Sequence, residues 1–324
     1  MPVVRVRSST VRYSDFAILL RSQEIVILLR HGSCELLAQK GGKNMCRWLA
    51  YSGGRTRLEN VLIKPLDNLI DQSLSARRAT TPTNGDGFGV GWYDEQDTPG
   101  MFHSIRPAWN DANLRELAAH ISSSLFMAHV RATSLATVQE TNCHPFRFGK
   151  WLFVHNGQIA EAGKLRREML LEVPPEYFDN ILGTTDSELM FHLALTFGLD
   201  DDAPGALAQM AAFVEDVAKA HGIESAIWMT LGVSDGKTLY GVRYGSDGKA
   251  PSLYYSPDAD EFSKVNPEFK HIFGDKARAI VSEPPGDYPQ IWTEVPQNTL
   301  VAAKDGELEF HSFKPKPNLG AKEV

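Results

Sequence analysis

The chain has 324 residues, of which 43% are hydrophobic and 23% charged, and its net charge is −7. This is the composition of a globular protein of one or two domains, and the absence of a basic stripe argues against a nucleic-acid surface. Its three cysteines, Cys34, Cys46 and Cys143, are too few for a disulfide framework, which favours a cytoplasmic location. Since neither C-x-x-C nor H-E-x-x-H occurs, we expect no metal and no other cofactor.

The first 45 residues differ from the rest of the chain. They hold seven Lys and Arg against three acidic residues, a net charge of +4. Their apolar runs, 16–20 and 25–29, are far below the roughly 18 residues of a membrane span, and no clear secretory signal appears. Three interpretations remain open: sequence upstream of a mis-set start codon, a removable propeptide, or a retained segment. We predict an N-terminal extension over 1–45 and a single domain over 46–324.

From Cys46 onward the pattern predicts strands, then mainly helices, then strands again. The predicted strands are 47–51, 84–93, 125–131, 151–155, 226–233, 238–244, 253–255, 279–282, 299–303 and 308–313. The predicted helices are 58–64, 110–122, 160–171, 184–197 and 205–220. Such an order favours an α+β fold with stacked sheets.

A strand with a glycine at every second position is predicted between residues 84 and 93. Gly85, Gly87, Gly89 and Gly91 would all point to one face. A face without side chains lets another backbone or a ligand approach closely, and ordinary packing would explain it as well as a ligand would.

Three polar positions in this framework permit both a structural and a functional interpretation. Arg131 ends an apolar strand, where its guanidinium could form an ion pair or grip a substrate carboxylate. Asn156-Gly157 is a strong signal for a hairpin turn, but its amide and N–H could also bind an oxyanion. Asp186 lies in the first turn of a helix that Thr185 and Glu188 would cap, and it could also hold a substrate ammonium.

Cys46 follows Met45 directly. If the chain began at Met45, removal of that methionine would leave Cys46 with a free α-amine, whose reference pKa is about 7.7–8.0. Thiol and general base would then belong to one residue, as in N-terminal nucleophiles. Taken alone, Cys46 could equally be a small buried residue at the start of a strand.

Six segments together resemble the class II glutamine amidotransferases. They are Met45-Cys46-Arg47-Trp48-Leu49-Ala50-Tyr51, Asn84-Gly85-Asp86-Gly87-Phe88-Gly89, Ala128-His129-Val130-Arg131-Ala132, Thr141-Asn142-Cys143-His144-Pro145-Phe146, His155-Asn156-Gly157 and Thr185-Asp186-Ser187-Glu188. With Pro107-Ala108-Trp109-Asn110 and Ser282-Glu283-Pro284, they are most similar to the stand-alone branch. That branch includes the ergothioneine-pathway γ-glutamyl amidohydrolase and a glutathione-degrading amidotransferase subunit. The resemblance covers nearly all of 46–324.

The resemblance implies the four-layer αββα sandwich of N-terminal nucleophile hydrolases. It also implies hydrolysis of a γ-glutamyl amide, with Cys46 as nucleophile and Asn156 and Gly157 as the oxyanion hole. Arg131 would bind the substrate α-carboxylate, Asp186 the α-ammonium, and His144 would lie near the substrate. Since 46–324 has the size of one amidase domain, ammonia would be released or received by a partner protein, such as an ammonia acceptor or a peptidase.

Two other classes remain open from the residues. A conventional thiol hydrolase could use Cys143 beside His144, although adjacent strand residues point to opposite faces. A non-catalytic binding subunit could keep the pocket as a sensor of glutamate-like ligands.

Overall fold

A computed structural model describes residues 27–30, 33–36, 46–74, 83–132, 137–265, 276–286 and 288–315. The chain divides into two compact units, Met1–Lys43 and Asn44–Val324. In the first unit, β1 (Ile27–Arg30) and β2 (Ser33–Leu36) pair antiparallel. The other residues predicted to form the extension lie outside the described residues, and the boundary at residue 45 stays a prediction.

The second unit contains two antiparallel sheets and helices. Its strands are β3 (Arg47–Arg57), β4 (Phe88–Trp92), β5 (Gly100–Ser104), β6 (Ser122–Val130), β7 (Phe146–Phe148), β8 (Trp151–Ile159), β9 (Ile227–Ser234), β10 (Leu239–Gly245), β11 (Tyr254–Tyr255), β12 (Arg278–Val281), β13 (Thr293–Glu294), β14 (Thr299–Lys304) and β15 (Glu307–Ser312). One sheet has the order β13-β11-β12-β3-β6-β4-β5 and the other β15-β14-β10-β9-β8-β7.

The helices lie on the outer faces of these sheets. They are α1 (Glu59–Leu62), α2 (Leu69–Leu74), α3 (Ala112–His120), α4 (Ala162–Glu172), α5 (Pro175–Phe178), α6 (Asp186–Thr196), α7 (Ala203–Ala220) and α8 (Ala259–Val265). Within the described part of the chain, none of them has the length and apolar character that crossing a membrane requires.

Alternation along β3 explains how the layers are assembled. Trp48 and Ala50 pack into a core between the two sheets, against side chains such as Leu152 and Val154 of β8. Leu49 and Tyr51, which point the other way, belong to a second core with α1, α2, α3 and α8. A third core joins α4, α6 and α7 to the outer face of the six-stranded sheet. The predicted α+β fold and its αββα layering are confirmed.

The predicted end of the strand at 151–155 is wrong. The strand predicted to end at His155 continues to Ile159, and Asn156 and Gly157 pair with Thr230 and Met229 of β9. Asn156-Gly157 is therefore no hairpin turn, because β8 gains ladder partners there that the local sequence does not reveal. The predicted hairpin of β9 and β10 is confirmed by continuous antiparallel pairing from Ser234 to Trp228.

The glycine face of β4 is used for close packing. A Cβ on Gly89 would lie 2.2 Å from the carbonyl oxygen of His144, and one on Gly91 would lie 2.8 Å from Leu152. The predicted close approach is confirmed at Gly89, where the backbone of His144 lies against the strand, whereas the neighbour of Gly91 is a side chain. The predicted strand is too long, because β4 contains only Gly89 and Gly91 of the four glycines, and Gly87, with a φ of +112°, lies before it.

Candidate active site

One cavity of about 770 Å³ brings together most of the residues proposed from the sequence. Its lining includes Cys46, Arg131, His144, Gly157 and Asp186. Cys46 and Arg131 flank strands of one sheet, Gly157 lies in β8 of the other sheet, Asp186 opens α6, and His144 lies in the connection before β7, so they meet only because the two sheets stack. Asn156, the sixth proposed residue, is buried directly beside Gly157 and does not itself line the cavity.

Cys46 lies immediately before β3, with its thiol against the backbone that follows β6. Its Sγ is 3.4 Å from both the N–H and the carbonyl oxygen of Ala132. Burial raises the pKa of this thiol, and the Ala132 hydrogen bond and the positive charge of Arg131 oppose that effect. The thiol is therefore protonated at neutral pH and requires a base to become a nucleophile.

A buried polar cluster fixes the start of β3. The Nε of Arg47 donates to Glu283 at 2.6 Å, and its Nη1 donates to Asn84 at 3.1 Å. Next to it, the backbone N–H of Trp48 donates to the hydroxyl of Ser282 at 3.0 Å. The resemblance included the segments around Asn84 and Ser282-Glu283 but gave them no role. In the structure they hold Arg47, the residue next to Cys46, in place.

Arg131 follows β6 and is 3% exposed. Its backbone is locked to the glycine-rich segment, since its N–H donates to Gly87 and its carbonyl accepts from Asp86. The guanidinium Nη1 donates to the Asp86 carbonyl at 3.4 Å. That hydrogen bond goes to a neutral oxygen and not to a carboxylate, so the cation that lines the cavity keeps the capacity to bind an anion.

The end of β8 presents its backbone to the cavity. The N–H of Ile159 donates to Asp186 at 2.8 Å, on the edge of β8 opposite β9. Since every second N–H of a strand points to the same edge, the N–H of Gly157 is directed to that edge as well. β7 pairs with residues 151–153 of β8, and no strand of the described part of the chain pairs with this end of the edge.

Gly157 cannot be replaced without disturbing β9. Its φ is +155°, and a Cβ there would lie 2.0 Å from the carbonyl oxygen of Trp228. The neighbouring Asn156 is 3% exposed, and no described residue forms a hydrogen bond with its side-chain Oδ1.

Asp186 opens α6 with both carboxylate oxygens engaged. Oδ2 accepts from Ile159, and Oδ1 accepts from the N–H of Ser187 at 2.8 Å. Thr185 caps the helix as predicted, accepting from Glu188 N–H at 3.1 Å. The reciprocal half of the predicted capping box is wrong, because the Glu188 carboxylate accepts from the backbone N–H groups of residues 182 and 183 instead.

His144 lies in the cavity wall. Both ring nitrogens are buried, and neither has a hydrogen-bond partner in the part of the chain that the structure describes. The ring stacks on His129 at 4.2 Å between centroids and leans against Phe146 at 4.5 Å. Burial holds the pKa of His144 well below its usual value, so the ring is neutral.

Sequence reasoning missed two further histidines at this site. His129 Nε2 donates to the carbonyl oxygen of His155 at 3.1 Å, and His155 Nδ1 lies 2.7 Å from the hydroxyl of Ser187. Burial lowers the pKa of His129 to about 3 and also lowers that of His155. The available signal was a polar residue inside an otherwise apolar strand, in both β6 and β8.

The alternative nucleophile Cys143 lies elsewhere. It is fully buried, and its Sγ contacts the carbonyl oxygens of Ser104 and Gln139 at 3.6 and 3.7 Å. It does not line the cavity, and no hydrogen bond joins it to the ring of His144. Burial raises its pKa to about 11, so this thiol is poorly suited to nucleophilic attack. Among the described residues, no group of His, Cys, Asp and Glu is arranged to hold a metal ion.

The comparisons with known proteins agree with this fold. Residues 64–323 match the family model of the class-II glutamine amidotransferases. The chain belongs to this family and is an enzyme of the glutamine amidotransferase class. Cys46, the whole of β3 and α1 precede the matched segment.

Two curated relatives are informative. The probable glutamine amidotransferase DUG3 of Saccharomyces cerevisiae is 33% identical over 302 residues, covering 82% of this chain and 84% of that protein. The gamma-glutamyl-hercynylcysteine sulfoxide hydrolase of Mycolicibacterium smegmatis is 25% identical over 266 residues, covering 82% of this chain and 98% of that protein. Both support the stand-alone branch.

Solved structures extend the comparison to the fold. A glutamine aminotransferase class-II domain protein from Silicibacter pomeroyi superimposes with a TM-score of 0.63 at 32% identity, covering 83% of this chain and all of that one. The fold is shared with the glutamine phosphoribosylpyrophosphate amidotransferase of B. subtilis, which is 12% identical and superimposes with a TM-score of 0.56. The match covers 84% of this chain and 50% of that one.

Proposed function

We propose that the protein hydrolyses the γ-amide of glutamine or of a γ-glutamyl compound, releasing glutamate with ammonia or an amine. The observation that carries this proposal is one cavity lined by a thiol, a guanidinium, a strand-edge glycine and a carboxylate: Cys46, Arg131, Gly157 and Asp186. The names of the two curated relatives, a glutamine amidotransferase and a γ-glutamyl hydrolase, describe the same type of reaction.

The charged groups of the cavity suit the amino-acid head of such a substrate. Arg131 would bind the α-carboxylate through paired hydrogen bonds, and Asp186 would bind the α-ammonium. Because glutamine and all γ-glutamyl amides share this head, these two residues select the γ-glutamyl group and leave the identity of the amine open. His144 would pack its neutral ring against the bound substrate.

The chemistry would begin at Cys46. Its own α-amine takes the thiol proton, and the thiolate attacks the γ-carbonyl carbon. The tetrahedral oxyanion is stabilised by the Asn156 side chain and the Gly157 N–H, each such donor contributing about 2.7–4 kcal/mol. The ammonium then returns the proton to the leaving nitrogen, a γ-glutamyl thioester remains, and water releases glutamate and regenerates the thiol.

This mechanism requires the nitrogen of Cys46 to be an amine. In the 324-residue chain that nitrogen forms an amide with Met45 and is not basic. We therefore propose that the active form begins at Cys46, with residues 1–45 absent and 46–324 as the catalytic unit. The ammonia would be released or passed to a partner protein.

The experiment compares the full chain with the form whose first residue is Cys46, each verified by intact mass. Glutamate release from glutamine and from a γ-glutamyl dipeptide is measured. We expect turnover only with Cys46 at the N-terminus, and we expect Cys46→Ala to abolish it. Cys143→Ser, which alters the buried thiol outside the cavity, should retain activity. Undiminished hydrolysis by Cys46→Ala would refute the assignment, and loss of activity in Cys143→Ser would revive the thiol hydrolase that uses Cys143 and His144.

A second candidate, a non-catalytic subunit that binds glutamate-like ligands, is favoured by one observation: the full chain contains the cavity and the charged groups but no α-amine at Cys46. Calorimetry distinguishes the two. Binding of glutamate by native protein that retains residues 1–45, without turnover, would support the binding subunit.

A further inference from the structure

A hydrogen-bond chain in the cavity wall leads from a carboxylate to an unpartnered imidazole nitrogen. The Ser187 hydroxyl lies 3.3 Å from Oδ1 of Asp186 and 2.7 Å from Nδ1 of His155. The Nε2 of His155 is buried and has no hydrogen-bond partner among the described residues, and the residue lines the cavity. A buried polar atom without a partner is costly, so a vacant nitrogen at a ligand cavity indicates a site that the ligand completes.

These hydrogen bonds define which ring nitrogen of His155 carries the proton. An ionised carboxylate can only accept, so the Ser187 proton is directed to Asp186. The Ser187 oxygen then accepts a hydrogen bond from the Nδ1–H of His155. In the neutral ring, Nε2 consequently holds a lone pair and no proton. Burial, which lowers the pKa of His155, keeps the ring in this neutral state.

The position of Nε2 suggests which group of the substrate it meets. His155 and Gly157 lie on the same face of β8, and a Cβ on Gly157 would be 2.7 Å from Nε2. The vacant acceptor therefore lies beside the glycine whose N–H is assigned to the oxyanion. At that end of the cavity the substrate has one group that can donate, which is the N–H of its γ-amide.

We propose that His155 accepts a hydrogen bond through Nε2 from the N–H of the scissile γ-amide, and so selects primary and secondary γ-glutamyl amides. The inference rests on the proposed hydrolase function. The bond fixes the rotation of the amide nitrogen, so that its developing lone pair faces the proton donor on Cys46. Substrates without an N–H at this position, such as γ-esters and N,N-disubstituted amides, lose the contact.

The test compares glutamine with the γ-methyl ester of glutamate, in which an oxygen replaces the nitrogen. The protein is the form with Cys46 at its N-terminus, which falls within the compact unit 44–324. His155→Asn keeps a donor near the Nδ1 position for Ser187 but removes the Nε2 acceptor. His155→Gln places an amide oxygen where Nε2 was. His120→Asn, on the exposed surface of α3, is the control.

We expect His155→Asn to lower kcat/KM for the amide about tenfold more than for the ester, the effect of one lost hydrogen bond. His155→Gln should retain most of the wild-type amide-to-ester ratio, and His120→Asn should retain all of it. If His155→Asn does not fold, Ser187→Ala serves instead. This variant removes the hydroxyl that keeps the proton of His155 on Nδ1, and it should lower the amide-to-ester ratio of kcat/KM severalfold.

Three outcomes overturn the inference. Equal losses on amide and ester would mean that His155 has a structural role or binds a part of the substrate common to both. An unchanged ratio in both His155→Asn and Ser187→Ala would mean that Nε2 does not meet the amide. Absence of Cys46-dependent turnover of either substrate by the wild type would refute the hydrolase function itself, a result distinct from the other two.

Discussion

Two groups of buried polar side chains lie near Cys46, and they differ in whether their atoms have partners. The supporting group, Arg47, Asn84 and Glu283, is held by an ion pair and a hydrogen bond, although Nη2 of Arg47 has no partner among the described residues. The cavity group consists of His144 and His155, which line the cavity, and of Asn156, which lies beside it; Asn156 Oδ1, His155 Nε2 and both ring nitrogens of His144 have no partner among the described residues. Partnered groups fix the backbone, whereas unpartnered groups beside a cavity are available to a ligand. The supporting group should therefore govern stability and the cavity group activity.

The largest effect is expected from breaking the supporting group. Arg47→Met leaves Glu283, 11% exposed, without its cation, which should lower the free energy of unfolding by about 3–5 kcal/mol. Urea denaturation measures this. The control is Arg57→Met. Arg57, whose side chain is 62% exposed, forms an ion pair with Glu59 at 3.6 Å, and this pair should contribute about 0–1 kcal/mol. Equal values for the two variants would contradict the assignment of Arg47.

Among the residues that line the cavity, Gly157 should have the largest effect on turnover after Cys46 when it is replaced by alanine. Its Cβ would meet the Trp228 carbonyl at 2.0 Å and displace the N–H assigned to the oxyanion. We expect kcat to fall by about 100- to 1,000-fold, measured as glutamate release. Gly163→Ala tests whether any added methyl is harmful. Gly163 lines the same cavity in the first turn of α4. Apart from its chain neighbours and the backbone of its own helix, no atom of the described residues lies within 4 Å of an added Cβ, so stability should rise by up to about 1 kcal/mol. Near-normal turnover in Gly157→Ala would exclude its N–H from the mechanism.

A smaller effect, confined to binding, is expected for Arg131→Ala. The guanidinium is assigned to a carboxylate that does not react, so KM should rise by about 10- to 100-fold while kcat changes little. Steady-state kinetics with glutamine separates the two constants. A fall in kcat at constant KM would place Arg131 at the reacting atoms instead.

The smallest effect concerns pH. Burial lowers the pKa of His103 to about 4, whereas the unfolded value is about 6.5. A depressed histidine pKa contributes stability that is complete above pH 6.5 and is lost as the pH falls toward 4, by at most about 1.4 kcal/mol per pH unit. His103→Gln can keep the hydrogen bond to the carbonyl oxygen of Pro145 without titrating. Denaturation between pH 7 and 4.5 should therefore depend less on pH in this variant, and an unchanged slope would contradict the shift.

The fold was largely predictable because each strand and helix carries its own periodicity. The strands at 47–51 and 125–131 and the hairpin at 226–244 appear in the structure with bounds shifted by a few residues or extended. Short elements such as β5 and β7 were missed, since their few residues form strands only by pairing with neighbours. Asn156-Gly157 was ambiguous for the same reason: the local signal for a turn yields to ladder bonds with β9.

The sequence by itself determined the residue types of the site and their order along the chain, including Cys46, Arg131, His144, Gly157 and Asp186. The spacing of the motifs carries that information, because these residues lie in or next to strands and helices whose periodicity can be read from the local sequence. Only the tertiary structure decided that Arg47 is held by Glu283, 236 residues away, that Cys143 lies outside the cavity, and that His155 presents a vacant nitrogen to it. Whether a buried polar atom has a hydrogen-bond partner depends on contacts between distant segments and on the exclusion of water. Neither of these leaves a periodic pattern in the sequence.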